Sequence, residues 1–95
     1  MRRDVRWSLD ARRELVAITR HITADNPEAA AKVAGRIQAA AASLGEFATG
    51  RVGRVAGTFE KVVPTLPYIL AYEIAPSAAG GTFVAVLHVI HGARD

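Results

Sequence analysis

The groups in this chain that could do chemistry are few, and arginine dominates them. Ten of the twelve basic side chains are arginine, whose planar guanidinium makes paired contacts with carboxylate or phosphate oxygens. Arg51 and Arg54 each follow a glycine in mid-chain, and Arg94 stands next to the last residue; all three are candidates for binding a phosphate or contacting a target. His91 closes an apolar run and could act as a general acid, which needs a group titrating near neutral pH. The plainer reading of His91 is a partly buried histidine that ends a strand. Glu60 could be a base, or a strand carboxylate that is solvated or ion-paired. His21, His88 and His91 lack metal-ligand spacing, with no cysteine and no carboxylate cluster to complete a set, so neither a metal nor a cofactor is expected. Gly50, Gly53 and Gly57 match neither a dinucleotide fingerprint nor a Walker loop, and turn geometry accounts for them better. Ser8, Ser43 and Ser77 stand in no nucleophile motif.

Composition narrows the classes. The 95 residues carry a net charge of +3, and 51% of them are apolar, nineteen being alanine. That suffices for one core of two layers and is too apolar for a disordered chain. The absence of cysteine excludes disulfide scaffolds and thiolate sites. No apolar segment follows the charged start, so no signal peptide is read. Residues 74–93 hold no charge, but Pro76, Gly80, Gly81, His88 and His91 interrupt them, and a membrane span is not expected. A cytoplasmic globular domain is the expectation, with a basic surface that is either simply solvated or meant for an anionic partner.

The elements that must position these groups fall into a helical half and a strand half. Val5 and Trp7 alternate with charged neighbours, which fits a short strand. Ser8 can cap a helix, in which Ala11, Leu15, Ile18 and Ile22 make one buried stripe. Asn26-Pro27 ends it and starts a second helix, with Ala30, Val33, Ala34, Ile37, Ala41 and Leu44 facing inward and Gly45 as its C-terminal cap. Gly45 to Gly57 reads as a loop. Thr58–Val63, Tyr68–Ala75 and Thr82–His91 read as strands, the last apolar on both faces and hence interior. Tyr68, Leu70, Tyr72 and Ile74 share a face, which favours core packing over base stacking. The expected fold is α+β: strand, helix, helix, three strands, with the helical hairpin packed on a mainly antiparallel four-stranded sheet.

In order and spacing the chain resembles toxins of the RelE/ParE superfamily from type II toxin–antitoxin systems. The resemblance runs through Trp7, Ala11, Glu14-Leu15, Ile18, Asp25-Asn26-Pro27-Glu28-Ala29-Ala30, Gly50-Arg51, Gly53-Arg54, Gly57-Thr58, Glu60, Val62-Val63, Pro67-Tyr68-Ile69, Ala71-Tyr72 and His91-Gly92-Ala93-Arg94. It implies a small cytoplasmic toxin in a hetero-oligomer with a ParD- or RelB-like antitoxin, and one of two targets. RelE-like relatives cleave mRNA on the ribosome; ParE-like relatives block DNA gyrase. The nucleases usually place an arginine on the strand corresponding to Tyr68–Ala75, where this chain has Ile69. Charge stabilisation would then fall to Arg54 and Arg94, with His91 as acid, so the resemblance favours a gyrase inhibitor that binds rather than catalyses.

One further stripe concerns the antitoxin. On the first helix Leu9, Arg13, Val16 and Arg20 line up on the side away from the buried face at about 100° per residue. Two apolar side chains interleaved with two arginines suit an acidic, amphipathic helix lying against them.

Overall fold

The computed structural model describes residues 2–92. Strand β1 (Val5–Trp7) leads into helix α1 (Leu9–Thr23), then α2 (Pro27–Ser43), and then β2 (Arg51–Val52), β3 (Phe59–Val62), β4 (Tyr68–Pro76) and β5 (Thr82–His91). The sheet order is β1-β5-β4-β3-β2. β1 runs parallel to β5, and every other neighbouring pair is antiparallel. Among the described residues no helix is long and apolar enough to cross a membrane.

Both helix starts follow the sequence. The Ser8 hydroxyl accepts the Ala11 N–H at 3.0 Å, and the Asn26 side chain accepts the Ala29 N–H at 3.1 Å; each satisfies a donor that the first turn leaves without an intrahelical partner. The helical hairpin covers one face of the sheet. Ile37, Ala40, Ala41 and Leu44 pack with Leu70, Tyr72, Val84, Val86 and Val89, and Ala11 joins from α1. The small side chains Ala11, Ala40 and Ala41 in this core permit close approach between the layers.

Gly45 is not the left-handed cap its position suggests. Leu44 caps α2 in a right-handed conformation. Gly45 is required instead because a Cβ there would stand 2.6 Å from the Arg3 carbonyl oxygen, and the Arg3 N–H donates to the Gly45 carbonyl at 2.7 Å.

The sheet has five strands rather than four. Inside the expected 45–57 loop, Arg51 and Val52 pair with Glu60 and Phe59. Gly50 makes this possible: its φ is +131°, and a Cβ would lie 2.4 Å from the Glu60 carbonyl oxygen. A two-residue strand is too short for alternation to reveal it.

β5 carries the other irregularity. Tyr72 pairs with Val86 and Ala71 with His88, leaving Leu87 opposite no residue, which is a β-bulge. Side chains from the start of α1 take up the freed backbone. The Ser8 hydroxyl donates to the Leu87 carbonyl at 2.8 Å, and the Val89 N–H donates to Glu14 Oε1 at 3.0 Å.

Candidate functional site

Helix α1 is only half used by the core. Ala11 is its one fully buried residue, while Leu9 is 60% and Val16 47% exposed. A shallow groove of about 410 Å³ runs along this outer side, lined by Arg12, Arg13, Val16, Ala17 and Arg20. Three of the four residues of the predicted stripe, Arg13, Val16 and Arg20, therefore share one surface, with Leu9 exposed near the start of the same helix. Arg12 was missed; its i, i+4 relation to Val16 is the signal that would have added it. Among the described residues none of these three arginines makes an ion pair, so the groove presents uncompensated positive charge around apolar surface.

A second groove of about 470 Å³ lies on the other side of Ala17, lined by Glu14, Ala17, Ile18, His21, Tyr68, Val89 and His91. His91 sits at the end of β5 opposite Tyr68, the two rings meeting nearly edge-on at 5.4 Å. His88, earlier on β5, reaches α1, with Nδ1 3.3 Å from both Glu14 carboxylate oxygens.

The remaining candidates are scattered. Arg51 Nη2 contacts Glu60 Oε1 at 3.1 Å across the β2–β3 register. Glu60 is thus an ion-paired carboxylate, but at 8% exposure a buried one rather than a solvated one. Arg54 lies in the β2–β3 turn, at the far edge of the sheet from β1. His91 belongs to the opposite end of β4 and to the helix-covered face, so Arg54 and His91 do not converge. Arg94 lies outside the described residues.

On the face of the sheet away from the helices, register sets Val62, Ile69 and Ile90 side by side on β3, β4 and β5. Val62 and Ile90 are exposed. The position where a nuclease arginine is expected is therefore the middle of an aliphatic row. Among the described residues no group of three His, Cys, Asp or Glu could hold a metal ion. Burial pushes the Tyr72 phenol above the usual tyrosine range. Its hydroxyl donates to the Thr49 carbonyl at 2.7 Å.

This arrangement has known counterparts. In solved structures the fold is shared with a chain of the "Chromosomal ParDE TA system from P. aeruginosa", with a TM-score of 0.82 and 22% identity over 94% of this chain and 95% of that one. In sequence the chain is 41% identical over 91 residues to the protein named "Putative toxin Y4kP" of Sinorhizobium fredii (strain NBRC 101917 / NGR234), covering 95% of this chain and 88% of that protein. The family described as "ParE toxin of type II toxin-antitoxin system, parDE" matches residues 5–95. With nearly the whole chain matched, the protein belongs to the ParE family of type II toxins.

Proposed function

We propose that this chain stops growth by binding DNA gyrase in the cytoplasm, and that a cognate ParD-like antitoxin neutralises it in a hetero-oligomer. The observation that carries this reading is the Val62–Ile69–Ile90 row. RNA cleavage needs preorganised cations beside the scissile phosphate, and losing one such donor costs roughly 10²–10³ in rate. Three aliphatic side chains offer none. Inhibition by binding needs no such group, because a ligand can arrest an enzyme by favouring one of its conformations.

The groove along α1 is the antitoxin's place in this reading. An acidic amphipathic helix would bury Leu9 and Val16, worth at most about 1.5–3 kcal/mol each. It would also set its carboxylates against Arg12, Arg13 and Arg20, which mainly speeds association. Antitoxin bound there also raises the toxin's stability by mass action.

The test uses purified toxin in two assays. It should inhibit supercoiling or trap cleaved DNA in a gyrase reaction, and leave message intact on programmed ribosomes. Cleavage of message that disappears in His91→Ala would replace this reading with a RelE-like ribonuclease.

A further inference from the structure

Among the described residues, the three most exposed large apolar side chains lie close together in sequence, and neither the core nor the antitoxin groove uses them. Val52 is 77%, Phe47 71% and Val55 68% exposed. Val52 is on β2, Val55 in the β2–β3 turn, and Phe47 on the segment leading into β2. Val52 and Val55 thus share one short hairpin, and apolar exposure concentrated on a single element marks an interaction surface.

The backbone beneath them is held firmly. The Gly53 N–H donates to the Thr58 carbonyl at 2.8 Å and the Thr58 N–H to the Val55 carbonyl at 3.1 Å; the Thr58 hydroxyl reaches that same carbonyl at 2.6 Å. Thr49, between Phe47 and β2, takes hydrogen bonds from Tyr72 at its carbonyl and from Lys61 at its hydroxyl. An apolar surface on a braced hairpin loses little conformational freedom on binding.

Charge narrows the partner. Of the two arginines here, Arg51 is committed to Glu60, while Arg54 makes no ion pair among the described residues. A nucleic-acid surface needs several free cations to neutralise phosphates and flat groups on which bases stack; one free arginine and two valines supply neither in quantity. Nor is a second copy favoured. Three side chains offer a few hundred Å² per protomer, short of the roughly 1,200–2,000 Å² that stable interfaces bury in total. A hairpin that enters a cleft is covered on several sides and gains most from so little area.

We propose that the β2–β3 hairpin is the element with which this toxin engages its target, and that its partner is a protein cleft with apolar walls and a carboxylate at its rim facing Arg54. The inference rests on the reading of the chain as a toxin that acts by binding. It places target and antitoxin on different faces, the hairpin and α1.

The experiment expresses the full chain in a bacterial host without antitoxin and assays the purified protein with gyrase. Val52→Asp with Val55→Asp should abolish growth arrest and raise the half-inhibitory concentration at least about tenfold, while circular dichroism and antitoxin affinity stay at wild-type values. Arg54→Glu, at an exposed turn position, should weaken inhibition by a smaller factor that vanishes at high salt. Wild-type arrest without gyrase inhibition would overturn the gyrase reading alone, since the hairpin is still judged by the arrest. Arrest unchanged in the double variant would overturn the hairpin. So would loss of antitoxin binding in that variant, an oligomer that only the valines sustain, or inhibition sensitive to Arg54 but not to the valines, the mark of a nucleic-acid contact. A wild-type chain that neither arrests growth nor inhibits gyrase would overturn both.

Discussion

The two helices lie side by side in one hairpin yet are held by different forces. α2 is anchored by burial: Ala30, Ile37, Ala40 and Ala41 are all inside, and Leu44 extends the same face. α1 buries only Ala11 completely, packs Leu15 and Ile18 half-buried against the core, and is oriented in its first half by polar hooks, Ser8 to the Leu87 carbonyl and Glu14 to the Val89 N–H. Hooks of this kind set the direction and position of a helix while consuming little of its surface. α2 is therefore scaffold, and α1 is a scaffold element whose outer side stays available.

That contrast can be broken most directly in the core. Ile37→Ala should cost about 2–5 kcal/mol, the range for deleting a buried aliphatic side chain, whereas Val16→Ala should stay within roughly 0.5 kcal/mol, as surface changes do. Urea denaturation of both variants checks this; equal losses would mean that α1 is as much core as α2. Next in size, Val16→Asp combined with Arg20→Glu should lower antitoxin affinity roughly 10- to 100-fold, the equivalent of one well-buried valine, with the melting temperature of the free toxin unchanged. Titration calorimetry reads the first and a thermal scan the second.

Smaller effects sharpen the picture of the hooks. Ser8→Ala should destabilise the free toxin by about 1–2 kcal/mol through loss of the helix cap, and also loosen α1 from β5, seen as faster hydrogen exchange at Val89. Smallest is Tyr72→Phe, which removes the bond to the Thr49 carbonyl for about 1 kcal/mol at neutral pH. It should also change the alkaline limb of stability. Burial holds the folded phenol above the usual tyrosine range, while the unfolded chain ionises near pH 10. Above that pH the folded state binds more protons than the unfolded one, so wild-type stability falls as pH rises. The phenylalanine variant should lack that part of the fall in a pH series of denaturation curves.

How much of this was legible in the sequence depended on the length of each signal. Both helix starts, the core stripe of α2, the shared face of Tyr68 through Ile74 and the three long strands follow from capping residues and periodicities that run over many positions. β2 was not legible because two residues carry no period. Gly45 misled because a glycine after a helix fits both a left-handed cap and a close backbone contact, and only the position of Arg3 decides. The stripe on α1 was visible as a pattern, since unused apolar residues on a helix wheel stand out. Val52 and Val55 were invisible as a pair, because a short hairpin sets them on one element without any regular spacing. Pairing Glu60 with Arg51 likewise depended on the register of that hairpin.

The parallel pairing of β1 with β5 has a consequence in time. Val5 finds its neighbour at Val84, and Ser8 closes onto Leu87, 79 positions further along the chain. Contacts this distant are the slowest to form, and the first strand cannot pair until β5 has been synthesised. Without β5, β1 has no neighbour in the sheet and the Ser8 hydroxyl loses the carbonyl it donates to. Completing the fold is therefore a late event, closed by contacts between the two ends of the described chain.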